Sequence, residues 1–203
     1  MTKDITKVTP YNSDSSKKSQ VEDMFDNIAP KYDLLNHALS MKIDVLWRNK
    51  LVRMMKEDAP KEVLDVATGT GDLAIAVEKG TQASVVGLDL SQQMLNVGIN
   101  KIKKLNLDRK ISMQKGDAEN LPFEDNRFDA VSVAFGVRNF ENLQKGLAEL
   151  RRVVKENKSV YILEFSKVEG FLGPFYMFYF KNILPAIGRL VSKDNRAYTY
   201  LPD

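Results

Sequence analysis

One segment constrains the fold of this 203-residue chain more than any other: Val63-Leu-Asp-Val-Ala-Thr-Gly-Thr-Gly-Asp-Leu-Ala74. A short apolar run, Glu62 to Ala67, stops at two glycines, and helix-compatible residues follow from Leu73 to Lys79. A buried strand that feeds a tight glycine turn and then a helix is one βα unit. Its pattern Gly69-x-Gly71-x-x-Ala74 lets the backbone approach a ligand closely. The alternation continues downstream. Ala83–Leu90 reads as a strand, and Ser91 caps a helix over Gln92–Lys104. Ile111–Lys115 and Phe128–Ala134 read as strands, Leu143–Val154 as a helix and Ser159–Phe165 as a fifth strand. Strands alternating with helices specify an open, mainly parallel α/β sheet flanked by helices. Ligands in such sheets bind beyond the carboxyl ends of the strands.

The flanks are different in kind. Residues 1–20 are polar, with no apolar central run, and read as a disordered tail rather than a signal peptide. Residues 21–58 carry apolar positions at helical spacing (Met24, Phe25, Ile28; Leu34, Leu35, Leu39; Leu46, Trp47, Leu51, Val52), broken at Pro30 and closed by Pro60. They read as a helical lid, residues 61–166 as the ligand-binding core, and 167–203 as an aromatic segment capping the substrate. The apolar stretch Phe171–Ile187 holds Lys181 and two prolines and is too short to span a bilayer. With no cysteine and a single histidine, disulfides, thiolate sites and histidine-rich metal centres are excluded, and no metal is expected. Thirty basic residues against 27 acidic ones leave a net charge of +3, which does not argue for nucleic acid as a partner.

The glycine loop and an acid at the end of the second strand, Asp89, suit a ribose diol, since a carboxylate there accepts two hydrogen bonds. That pair alone fits a dinucleotide dehydrogenase as well as an S-adenosylmethionine (SAM) enzyme. Two features favour SAM. Asp65, late in the first strand, suits an ammonium group and would repel a pyrophosphate. Gly116-Asp-Ala-Glu-Asn-Leu-Pro-Phe123 follows the third strand, where Asp117 can accept from an adenine amine and the Ala118 N–H can reach a ring nitrogen.

Leu64-Asp-Val-Ala-Thr-Gly-Thr-Gly-Asp72, Gly116-Asp-Ala-Glu-Asn-Leu-Pro122 and Ala134-Phe-Gly-Val-Arg-Asn-Phe140 together resemble the ubiquinone/menaquinone biosynthesis C-methyltransferases. Phe25-Asp-Asn-Ile-Ala-Pro-Lys-Tyr-Asp33, Leu163-Glu-Phe-Ser-Lys167 and Ala197-Tyr-Thr-Tyr-Leu-Pro202 extend the resemblance over residues 21–203. It implies a Rossmann-like SAM-dependent methyltransferase fold and methyl transfer from SAM to a ring carbon of a polyprenylated quinol. Carried onto matching positions, it assigns SAM to Thr68, Asp89, Asp117 and Ala118, beside Asp65, Gly69 and Gly71 of the loop. The wording Ala134-Phe-Gly-Val-Arg-Asn is closer to the demethylmenaquinone type than to the ubiquinone type. Some relatives carry Ser where Ala134 stands, so a hydroxyl contact of theirs is absent here. Family members usually continue past Leu-Pro through a closing pair of strands, which are either not included in this sequence or missing; if they are missing, a sheet edge is uncovered and stability and activity suffer.

Carbon methylation needs an electron-rich ring, hence a quinol hydroxyl driven toward its anion although free phenols titrate near 10. Arg138 is the candidate to favour that anion, with Asn139 beside it. Tyr32, in the lid, is expected to bond or pack against the quinol, with Asp33 next to it. His37 is a general-base candidate against the alternative of a structural histidine. Phe171, Phe175, Phe178 and their aromatic neighbours suit a channel for the isoprenoid tail, against the alternative of core packing. These readings imply a cytoplasmic enzyme peripheral to the membrane, with transient contact at the membrane surface and a homodimer both compatible. The competing readings are methylation of another small phenol, a non-catalytic SAM-fold scaffold subunit and a dehydrogenase.

Overall fold

A computed structural model describes residues 8–11, 14–34 and 43–164. His37 and the aromatic segment 167–203, including Phe171–Ile187, lie outside these residues. The elements are α1 (Lys17–Ile28), a 3-10 turn (Ala29–Lys31), α2 (Ile43–Glu57), β1 (Glu62–Val66), α3 (Asp72–Thr81), β2 (Ser84–Asp89), α4 (Gln92–Lys104) and β3 (Ile111–Lys115). They continue with β4 (Phe128–Ala134), a second 3-10 turn (Val137–Asn139), α5 (Leu143–Val153) and β5 (Val154–Leu163). The strands form one sheet in the order β3-β2-β1-β4-β5, and every neighbouring pair is parallel.

Alternation along β1 divides the core between the two faces of the sheet. Val63 joins Val85, Ile111 and Ala130 against Leu51, Val52 and Met55 of α2, Leu73 and Val77 of α3 and Ile102 of α4. Leu64 and Val66 join Leu88, Val131 and Val133 against Leu150 and Val153 of α5 and Phe140. Leu64 is wholly buried, so Leu64→Ala would cost about 2–5 kcal/mol. Helix starts follow the expected chemistry. The Ser91 Oγ accepts from the Met94 N–H at 3.1 Å, and Asn142 Oδ1 accepts from the Lys145 N–H at 3.0 Å.

Three features differ from expectation by more than a shift of one or two residues. Helix α1 begins at Lys17, inside the expected tail 1–20, because Ser16 caps it and Lys17 and Gln20 are buried in specific contacts. The Lys17 Nζ donates to the Arg138 carbonyl at 2.8 Å, and Gln20 Nε2 donates to the Ser15 carbonyl at 2.7 Å. The expected lid 21–58 divides in two. Helix α1 covers the strand ends, whereas α2 belongs to the core, packed so closely on α3 that a Cβ on Gly80 would meet Val52 Cγ1 at 2.3 Å. Strand β5 begins at Val154 rather than Ser159, with a register shift opposite Phe128–Ala130 and Asn157 in the left-handed region at φ 59°. The added residues form a bulge, which a strand pattern starting at Ser159 does not register.

Candidate active site

At the carboxyl ends of β1 and β4 the backbone takes unusual conformations. Ala67 has φ 53° and Phe135 has φ 58°, both strained for residues with a Cβ, and Gly69 and Gly71 follow at 57° and 80°. Ala67 and Phe135 thus stand strained where β1 and β4 open outward. The Thr68 N–H donates to the Leu88 carbonyl at 3.0 Å and the Gly71 N–H to the Thr68 carbonyl at 3.0 Å, closing the turn that starts α3.

That turn holds two carboxylates. Asp89 accepts from the Gly69 N–H at 2.8 Å and from the Ser91 N–H at 2.9 Å, so its two oxygens are fixed while each keeps further acceptor capacity. Enclosure raises its carboxyl above the usual range, against the downward pull of these backbone donors. Asp65 is buried deeper, at 1% exposure. It sits on the same face of the sheet as Ser132, its register partner on β4, and accepts from the Ser132 Oγ at 2.8 Å and from the Thr68 Oγ1 at 2.7 Å. Desolvation pushes its carboxyl up to about 6, with the two hydroxyls opposing.

Over these ends lies an open cleft. Lys18, Val21, Glu22 and Phe25 of α1 form one wall, with Tyr32 beside them, its ring edge-on to Phe25 at 6.0 Å. Ala67, Gly69 and Asp89 form the floor, Asp117 and Ala118 one end, and Phe135, Gly136 and Asn139 the opposite side. Phe135 also leans on Trp47 at 6.2 Å. The Asp117 carboxylate accepts from the Glu119 N–H at 2.9 Å and from the Lys18 Nζ at 2.7 Å. Glu22, Asp89, Asp117 and Glu119 against Lys18 give the lining an acidic balance, suited to a cationic ligand and unsuited to a pyrophosphate.

Of the residues singled out from the sequence, the cleft brings together Gly69, Asp89, Asp117, Ala118, Tyr32 and Asn139. Asp65, Thr68 and Gly71 stand one layer behind its lining and shape the loop instead, because their polar atoms are turned into the fold. Arg138 is also outside the lining. Its Nη1 lies 3.8 Å from Glu164 Oε1, and its side chain is 19% exposed. Sequence reading missed Lys18, Glu22, Met94 and Glu119 as lining residues. Lys18 meets its partner across 99 residues, which no local pattern reveals. Among the described residues no helix is long and apolar enough to cross a membrane.

The residues present fit SAM. The pinned Asp89 suits a ribose diol, the Asp117–Ala118 end suits adenine, and the acidic lining suits a sulfonium and an ammonium group. Comparison with known proteins agrees. The sequence profile described as the ubiE/COQ5 methyltransferase family matches residues 13–203. The chain is 49% identical to a demethylmenaquinone methyltransferase of Bacteroides fragilis, over 97% of this chain and 81% of that protein. It is 46% identical to the demethylmenaquinone methyltransferase of Porphyromonas gingivalis, over 97% and 82%. A ubiquinone/menaquinone biosynthesis C-methyltransferase of Geotalea daltonii is 43% identical over 93% and 81%. Among solved structures, a SAM-dependent methyltransferase from Aquifex aeolicus matches with TM-score 0.52 and 29% identity, covering 58% of this chain and 65% of that one. The [4+2]-cyclase SpnF shares the fold at TM-score 0.62 and 22% identity, over 75% and 62%.

Proposed function

The chain belongs to the ubiE/COQ5 methyltransferase family, and from that premise we propose that it methylates a ring carbon of demethylmenaquinol to give menaquinol. It is a SAM-dependent C-methyltransferase. The observation that supports this substrate best is the acidic cleft at the strand ends, built on Asp89 and flanked by Tyr32, Phe135 and Asn139, in a chain 49% identical to a demethylmenaquinone methyltransferase.

When bound, SAM supplies an electrophilic methyl group on a positively charged sulfur. The chain's own residues do the rest. Asp89 accepts from the ribose hydroxyls, Asp117 and the Ala118 N–H hold the adenine, and Gly69 leaves the backbone open to close approach. Thr68, Gly71 and Asp65 fix the loop from behind. On the other side of the cleft, Tyr32 and Asn139 orient the quinol ring by hydrogen bonding to its oxygens. Arg138, next to Asn139, places a permanent positive charge near the ring hydroxyl, lowering its pKa so that the oxygen carries more negative charge and the adjacent carbon more electron density. Aromatic walls exclude water from the reacting centre.

The isoprenoid tail of such a quinol is apolar, so collecting the substrate involves brief contact with a membrane surface. The decisive experiment is methyl transfer from labelled SAM to demethylmenaquinol and to the methoxy-benzoquinol of the ubiquinone route, side by side. Preferential labelling of demethylmenaquinol is expected. Labelling of the benzoquinol alone would transfer the assignment to the ubiquinone route, and labelling of neither would reject a quinol substrate.

A further inference from the structure

Behind the glycine loop lies a charged cluster that takes no part in lining the cleft. Lys101, on α4, places its Nζ 2.6 Å from Asp33 Oδ2, 2.6 Å from Asp72 Oδ1 and 3.2 Å from Thr70 Oγ1. Thr70 in turn donates to Asp33 Oδ1 at 2.5 Å. Arg48 of α2 completes the cluster, 3.3 Å from Asp72 Oδ2 and paired with Asp44. An ammonium has three donors, and here three oxygens from three parts of the chain converge on one. Asp72 opens α3, Thr70 is the buried centre of the glycine loop, and Asp33 follows Tyr32 directly.

An isolated exposed ion pair contributes little. This one is different because of what it joins. Thr70 lies between Gly69, whose N–H holds Asp89, and Gly71, whose left-handed backbone starts α3. A ligand seated on Gly69 and Asp89 restrains the Thr70 peptide. Thr70 and Lys101 restrain Asp33, and Asp33 restrains the neighbouring Tyr32 wall. We propose that Lys101 is a positioning residue that couples SAM on the glycine loop to the placement of Tyr32, so that the quinol side of the cleft is ordered once the methyl donor is seated. Removing the ammonium leaves Asp72 with Arg48 but takes from Asp33 the cation that ties it to Asp72, so the hold of the Tyr32 segment on the loop is weakened.

The inference rests on Tyr32 serving the quinol side, as proposed above, but its first test needs no quinol. Hydrogen exchange of the full chain is measured over residues 29–34 with and without saturating S-adenosylhomocysteine. In the wild type the ligand should slow exchange there by about fivefold or more. In Lys101→Met the ligand should bind within about threefold of wild type while that slowing disappears, and Lys101→Arg should restore it at least in part. Turnover assays should then give Lys101→Met a KM for the quinol raised about five- to tenfold, with SAM affinity little changed. Asp33→Asn keeps an acceptor for Thr70 but removes the charge that Lys101 holds, and should show the same loss of coupling. Ligand-dependent slowing that survives in Lys101→Met would overturn the proposal. So would loss of ligand binding in step with loss of slowing, or unfolding of both variants at the assay temperature, since the cluster would then only hold the fold. If the slowing behaves as expected but demethylmenaquinol is not methylated, the substrate assignment fails and the coupling stands.

Discussion

Asp65 is a costly residue to keep. Its carboxyl is held up to about 6 by burial, whereas an unfolded Asp titrates near 3.9. Because the folded value is the higher one, Asp65 favours the folded state fully below about pH 4, and that contribution fades as pH rises to about 6. Asp65→Asn should therefore gain stability on the wild type across that window, by up to about 3 kcal/mol at neutral pH, while SAM binding weakens because Thr68 loses its anionic anchor. Thermal melts of both proteins at pH 4.5 and pH 7 check this, and a constant difference between them would contradict it. Asp89→Ala should leave the fold intact and weaken SAM binding roughly ten- to hundredfold, the value of one charge-assisted hydrogen bond. Unchanged affinity in calorimetry would remove Asp89 from the site. Arg138→Gln should lower turnover about a hundredfold, as loss of a charge near a developing oxyanion does, and move SAM affinity by less than about threefold. Partial recovery at higher pH is expected, where the quinol ionises unaided. Near-normal turnover at neutral pH would mean that Arg138 serves the Lys17 and Glu164 contacts instead of the chemistry.

Among the elements, the turn after β4 is packed against the end of β1. A Cβ on Gly136 would meet the Ala67 Cβ at 2.6 Å, and a Cβ is fixed to its backbone, so one of the two strand ends has to shift. Gly136→Ala should cost about 1–3 kcal/mol from overpacking. It should also weaken SAM binding, since Ala67 leads into the glycine loop; a melt and a calorimetric titration together test both. The strands were legible in the sequence because each is a short apolar run with turn residues at its ends. Their starts and stops moved by one or two residues, except where a bulge intervened at Val154. Helix α1 was legible only from Met24, Phe25 and Ile28 onward. Its first turn reads as solvated tail because Lys17, Lys18 and Gln20 are polar, yet the Lys17 N–H is held by Glu141 from 124 residues away. In the site, Asp89 and Asp117 were legible because strand ends fix where acids point. For Asp65 the sequence does not say which hydroxyls turn toward its carboxylate; Thr68 and Ser132 do.

For the whole molecule, ligand binding and stability are one equilibrium. SAM at about one hundred times its dissociation constant adds about 2.7 kcal/mol, which for a chain of this size raises the melting temperature by roughly 5–10 °C. NADH at the same concentration should raise it by less than a degree, and equal shifts would reopen the dehydrogenase reading. The strand order has another consequence, for how the protein comes into being. β1 sits at the centre of the sheet, between β2 and β4, and its pairing with β4 joins residues 67 apart, such as Val63 and Ala130. A parallel sheet contains no hairpin, so no pair of strands can form without closing a long loop first. On the ribosome, a nascent chain that has emerged only through β3 leaves one backbone edge of β1 unpaired and the face carrying Leu64 and Val66 without its α5 cover. Until β4 and α5 follow, that unpaired edge and apolar face are of the kind that chaperones shield and that aggregates form through.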